Sequence, residues 1–94
     1  LIESRAALLR GAGQPLAVET VAFADPGPSE VLVRMVAASV CHSDVHTMTN
    51  GAPHLPMIIG HEAAGVVEAV GPGVNDLQPG QKVALSFVPS CNAC

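Results

Sequence analysis

Apolar and polar residues along this chain fall into short blocks separated by glycine- and proline-rich punctuation. Val31–Ala38 is almost continuously apolar, broken by Arg34, and its β-branched content and length predict a buried strand. Leu16–Val21 sets Leu16, Val18 and Thr20 against Ala17, Glu19 and Val21, the period of a strand with one wetter face. Lys82–Val88 does the same, with Val83, Leu85 and Phe87 against Lys82, Ala84 and Ser86. Glu62–Val70 predicts a further strand, in which Gly65 permits a bulge or a close backbone approach. Arg5–Arg10 is a shorter, mainly apolar segment. Gly11-Ala12-Gly13, Asp25-Pro26-Gly27-Pro28, Gly71-Pro72-Gly73 and Pro79-Gly80 read as turns. Ser43–Met48 lacks alternation and runs into Asn50-Gly51, which predicts a short helical turn, followed by a loop over Gly51–Pro56. At helical spacing Cys41 and Asp44 become neighbours, and His42 and His46 share a face. The pattern as a whole predicts a mostly β fold, a barrel or sandwich of five or six strands with one or two short helical turns.

Composition sharpens that picture. The chain has 94 residues, 49% hydrophobic and 13% charged, which supports one packed domain rather than disorder. Its two aromatics are both Phe, so the core must be built from Val, Leu, Ile and Ala. The net charge is −4, and Arg5, Arg10, Arg34 and Lys82 are the only fixed cations. That balance argues against a nucleic-acid partner, because no basic face can neutralise a phosphate backbone. No apolar run approaches the roughly 18 residues needed to cross a bilayer, and no signal-peptide pattern opens the chain. Three cysteines, two of them in a CxxC, fit reduced, metal-binding use in a cytoplasmic protein. Starting at Leu1 and stopping on Cys94, the chain reads as a piece of a longer frame.

The candidate chemistry is concentrated. Cys41-His42-Ser43-Asp44-Val45-His46 and Gly60-His61-Glu62-Ala63-Ala64-Gly65 hold a thiol, three imidazoles, two carboxylates and a hydroxyl. Thiolate with imidazole is a donor set that Zn²⁺ prefers, and fewer than four protein ligands leaves a position for a reacting oxygen. Taken singly, Cys41 fits a small buried hydrophobe and His61 an imidazole satisfied by a backbone carbonyl. Together they read differently. Cys41 closes one predicted strand and His61 opens another, and strand ends of a barrel can converge. Glu62 directly follows His61, so in extended backbone it points elsewhere and is a poor permanent ligand unless the chain bends. Asp44 is better placed to accept from the far ring nitrogen of His61 and fix its tautomer. Cys91-Asn92-Ala93-Cys94 is half of a tetrahedral structural site; the rival reading is a redox pair, which belongs between a strand and a helix. Neither Gly11-Ala12-Gly13 nor Gly71-Pro72-Gly73 continues to the third glycine of a phosphate-binding loop, where Leu16 and Asp76 stand instead.

These motifs resemble the zinc-dependent medium-chain alcohol dehydrogenases. Gly60-His61-Glu62, Gly65, Gly71 and Val74 fit every fixed position of that family's zinc signature, and the Cys41–His46 run and the CxxC fall in its order. The resemblance spans essentially the whole chain. It implies a GroES-like β-barrel over residues 1–94, part of a catalytic domain, with a Rossmann coenzyme domain following elsewhere in the protein. It implies that Cys41 and His61 are two of three protein ligands of a catalytic zinc, the third cysteine lying beyond Cys94. Glu62 matches a carboxylate beside that zinc, able to approach it during ligand exchange, and Asp44 the partner already placed near His61. Ser43 resembles the hydroxyl that takes the alcohol proton, and His46 the imidazole that relays it to solvent. His42 stands where the family contacts the cofactor pyrophosphate, usually with Arg, and His46 lies on the same cofactor-binding side. Cys91 and Cys94 resemble the first two of four structural-zinc cysteines. The implied activity is hydride transfer between a small alcohol or aldehyde and NAD or NADP, with the alkoxide held on zinc, in a cytoplasmic homodimer or homotetramer. The 94-residue piece alone is expected to have negligible activity.

Two other readings compete. A zinc polyol or threonine dehydrogenase shares the Gly-His-Glu element and often uses the Glu62 position as a ligand. A free-standing GroES-like binding module would share the fold but has no use for Cys41, His61 and the CxxC.

Overall fold

The computed structural model of the chain describes residues 1–86 and 88. Strands β1 (Ile2–Leu9), β2 (Ala17–Phe23) and β3 (Val31–Ser39) lead into helix α1 (His42–Asn50), and β4 (Met57–Ile58), β5 (Glu62–Val70) and β6 (Lys82–Ala84) follow. They form two antiparallel three-stranded sheets, ordered β2-β1-β4 and β3-β5-β6. The expected mostly β architecture is therefore present. The buried hydrophobic residues come from the central strand of each sheet: Leu8 and Leu9 from β1, and Val67 from β5. Among the described residues, no helix is long and apolar enough to cross a membrane.

The β1–β2 hairpin pairs Ile2 with Phe23 through to Leu8 with Ala17. Just beyond it Arg10 grips Glu19, donating from Nε to Oε2 at 2.6 Å and from Nη2 to Oε1. That hydrogen-bonded ion pair holds the Glu19 carboxyl below its usual range and pushes the Arg10 guanidinium up. β3 and β5 pair from Val31 with Val70 to Ser39 with Glu62, with register shifts at Leu32/Val33 and Met35/Ala37. Gly65 sits beside the second shift, where a Cβ would lie 2.4 Å from the Arg34 carbonyl oxygen. Both the bulge and the close approach expected of this glycine occur.

Several expectations needed correction. The turn after β2 is centred later than Asp25–Pro28: Glu30 N–H donates to the Gly27 carbonyl at 3.1 Å, and Ser29, not Gly27, carries the positive φ of 62°. Gly27 instead donates its N–H to the Glu30 carboxylate at 2.8 Å. The apolar segment Arg5–Arg10 falls mostly within the first strand, Ile2–Leu9, in which pairing with β2 also recruits polar Glu3 and Ser4. β4 is a two-residue strand, too short for a periodicity to reveal, added to β1 through Leu8–Ile58 and Leu9–Met57. β6 stops at Ala84, short of the expected Val88, and Phe87 lies outside the described residues. The segment Val31–Ala38 is a strand but is not buried: Met35 is 50% and Val36 71% exposed. β3 is an edge strand, and its bulged half has no cover among the described residues.

Candidate metal centre

The antiparallel ladder of β3 and β5 builds the site. Its last pair is Ser39 with Glu62, so Cys41, two residues past the end of β3, must meet His61, one residue before β5 begins. Gly60 turns the chain into His61 with φ 120°, a backbone angle that L side chains rarely adopt. The result is a cluster in which one donor atom each from Cys41, His61 and Glu62 lie within 4.8 Å of one another. Cys41 and His61 are half-buried, Glu62 is exposed, and Cys41 is a free thiol. The expectation that Glu62 points away in extended backbone is thus corrected: its carboxylate stands among the donors, beside the candidate metal position that the family resemblance implies for it.

The donor set fits zinc in kind. With bonds of about 2.0–2.3 Å, tetrahedral donors sit roughly 3.3–3.6 Å apart, so closing this cluster takes side-chain shifts of about 1 Å. A soft thiolate and an imidazole favour zinc over magnesium or calcium, which prefer all-oxygen sites.

α1 starts at Cys41, whose extended backbone (φ −109°, ψ 157°) makes it the N-cap. Asp44 Oδ2 accepts from the Cys41 backbone N–H at 3.0 Å, and Asp44 is the buried residue of the helix. A carboxylate here satisfies an N-terminal donor and complements the helix dipole. The expected proximity of Cys41 and Asp44 therefore takes the form of a cap, a role the sequence reading missed although the Cys-x-x-Asp spacing signals it. The helix runs nine residues, longer than the expected short turn, and ends as predicted at Asn50-Gly51. There the Gly51 N–H donates to the Thr47 carbonyl at 2.8 Å with φ 81° at the glycine. Gly13 N–H donates to the Met48 carbonyl at 2.7 Å and ties the helix end to the β1–β2 connection.

On the exposed side of α1 the rings of His42 and His46 meet edge to face with centroids 4.8 Å apart, one turn apart as their spacing predicts. Ser43 is exposed, and its carbonyl accepts from Thr47 Oγ1 at 3.1 Å. Cys91 and Cys94 lie outside the described residues. One polar contact at the site has no counterpart in the sequence reading: Ser39 Oγ donates to Glu62 Oε2 at 2.6 Å. Beside it opens a cleft of about 400 Å³ lined by Ala37, Ala38, Ala63 and Ala64, with Ser39 and Glu62 as polar members.

Comparison with known proteins agrees with this fold. A family model described as the alcohol dehydrogenase GroES-like domain matches residues 27–94. The chain is 47% identical over 96 residues to the alcohol dehydrogenase class-2 isozyme 2 of Oryctolagus cuniculus, covering 100% of this chain and 25% of that protein. It is 44% identical over 94 residues to the NDMA-dependent alcohol dehydrogenase of Amycolatopsis methanolica, covering 99% and 25% respectively. Among solved structures, an alcohol dehydrogenase zinc-binding domain protein from Burkholderia ambifaria superposes with a TM-score of 0.90 at 42% identity, over 99% of this chain and 25% of that one. The chain thus spans about a quarter of the length of these relatives. On the strength of that match over residues 27–94, the chain belongs to the family of alcohol dehydrogenase GroES-like domains.

Proposed function

We propose that the protein carrying this chain is a zinc-dependent alcohol dehydrogenase, transferring hydride between a small alcohol or aldehyde and NAD or NADP. The observation that carries this reading is the convergence of Cys41, His61 and Glu62 within 4.8 Å at the paired ends of β3 and β5. Cys41 and His61 would hold the ion, with a further cysteine from elsewhere in the protein. When bound, zinc supplies Lewis acidity that stabilises negative charge on an oxygen. Asp44 sets the position of Cys41 through its backbone N–H, and its carboxylate would accept from His61 to fix the ring tautomer. Ser43 Oγ takes the proton of the alcohol, and His46, three residues on and exposed, passes it to solvent. His42, in ring contact with His46, faces the cofactor pyrophosphate together with it. Cys91 and Cys94 are the first half of a second, structural zinc site. Residues 1–94 then form part of the catalytic domain, with a Rossmann coenzyme domain in another portion of a cytoplasmic homodimer or homotetramer. The 94-residue piece alone has negligible activity.

Metal analysis of the full-length protein tests the reading. Cys41→Ser and His61→Ala are expected to lose one zinc and to lower alcohol-dependent NAD(P) reduction by at least about 100-fold. Unchanged zinc content in both variants would overturn it. A metal-free binding module predicts no zinc at all. The second dehydrogenase reading, a zinc polyol or threonine enzyme, draws support from Glu62 standing within the donor cluster. A substrate profile favouring vicinal diols or threonine over primary alcohols would select it.

A further inference from the structure

We propose that Ser39 is a positioning residue for the metal centre: its hydroxyl holds the Glu62 carboxylate in place among the donors. The inference rests on the metal-centre reading above and goes beyond it in assigning a residue to the control of Glu62. Ser39 Oγ donates to Glu62 Oε2 at 2.6 Å, the length of a hydroxyl bonded to a carboxylate. The two residues form the last cross-strand pair of β3 and β5, so Ser39 is fixed by the ladder while Glu62 keeps a flexible stem. Both side chains are exposed, where water competes for such a bond and little net stability comes from it. Its consequence is directional. One carboxylate oxygen is held from the opposite strand, and Glu62 remains within 4.8 Å of the Cys41 and His61 donors instead of sampling solvent. Among the described residues that line the cleft, Ala37, Ala38, Ala63, Ala64 and Leu85 carry no side-chain donor for Glu62.

A carboxylate near a metal that loses its hydrogen-bond partner typically weakens metal binding by about 10–100-fold. The experiment is a Co²⁺ titration of the metal-stripped full-length protein, following the part of the thiolate-to-cobalt absorption that disappears in Cys41→Ser. Ser39→Ala is expected to weaken Co²⁺ binding about 10-fold and shift the visible bands in the same direction as Glu62→Gln. Ser39→Thr, which keeps the hydroxyl and suits a strand, is expected to restore affinity to within about 2-fold. Adding Ser39→Ala to Glu62→Gln is expected to cost nothing more, because the pair acts as a unit. A Ser39→Ala protein with unaltered affinity and bands, or losses that simply add in the double variant, would overturn the assignment of Ser39 alone. Absence of any Cys41-dependent absorption in the unsubstituted protein would overturn the metal centre itself, and this assignment with it.

Discussion

Asp44 accepts from the Cys41 backbone N–H at 3.0 Å while only 8% of it reaches solvent. Burial of an acidic group so close to a candidate ligand makes it a point where fold and chemistry share a side chain. Asp44→Asn keeps an oxygen for that N–H and gives up a favourable charge at the helix N-terminus, an expected loss of about 0.3–1 kcal/mol. Asp44→Ala leaves the donor unmatched and is expected to cost about 1–3 kcal/mol. Denaturant midpoints of the two variants measure the difference; equal midpoints would show that the cap contributes nothing. At this scale the ligand types were legible, because thiolate and imidazole announce their chemistry by identity. The part played by Ser39 was not. A serine near the end of an apolar run becomes informative only once the register sets it opposite Glu62.

The β1–β2 hairpin is closed by Arg10 and Glu19, an exposed pair whose contribution depends on pH. The Glu19 carboxyl lies below its ordinary value of 4.5, chiefly through the hydrogen bond from Arg10, so the stabilisation is complete above that value. It is lost as the pH falls through the lowered value, where the folded chain too becomes protonated. Arg10 is raised above its ordinary value, chiefly by the hydrogen bond to Glu19, and its share is lost only in strongly alkaline solution, outside the working range. The stability difference between the native protein and Glu19→Gln should therefore be constant from neutral pH down to about 4.5 and shrink as the pH falls further. Added salt should reduce it throughout. Denaturant unfolding across that range measures both; a difference that grew on acidification would contradict the assignment. Turn placement obeys longer-range constraints. A Cβ on Gly71 would lie 1.9 Å from the Gly27 carbonyl oxygen, and Gly71 N–H donates to the Glu30 carbonyl at 2.8 Å. The signature glycines thus serve backbone packing as well as marking the site.

Across the described residues few side chains are fully buried, and Leu9, at 0% exposure in the central strand of its sheet, is one of them. Leu9→Ala is expected to cost about 2–5 kcal/mol through lost burial and the cavity left behind. Thermal or denaturant unfolding of the full-length variant measures this, and a cost below about 1 kcal/mol would show that the two sheets do not depend on it.

Sequence alone determined the strand-rich class, the span of β5 and the helix stop at Asn50-Gly51, and it named residues whose chemistry suits a metal. Those features are local: they depend on side-chain period, on the backbone freedom of glycine and on the affinities of sulfur and nitrogen for a metal. Only the tertiary structure decided that β4 exists, that Val36 is exposed, that Ser29 makes the turn and that Ser39 stands opposite Glu62. Each of these is set by which strand lies beside which, and residues twenty positions apart are brought within a few ångströms by an antiparallel ladder whose register no single segment encodes.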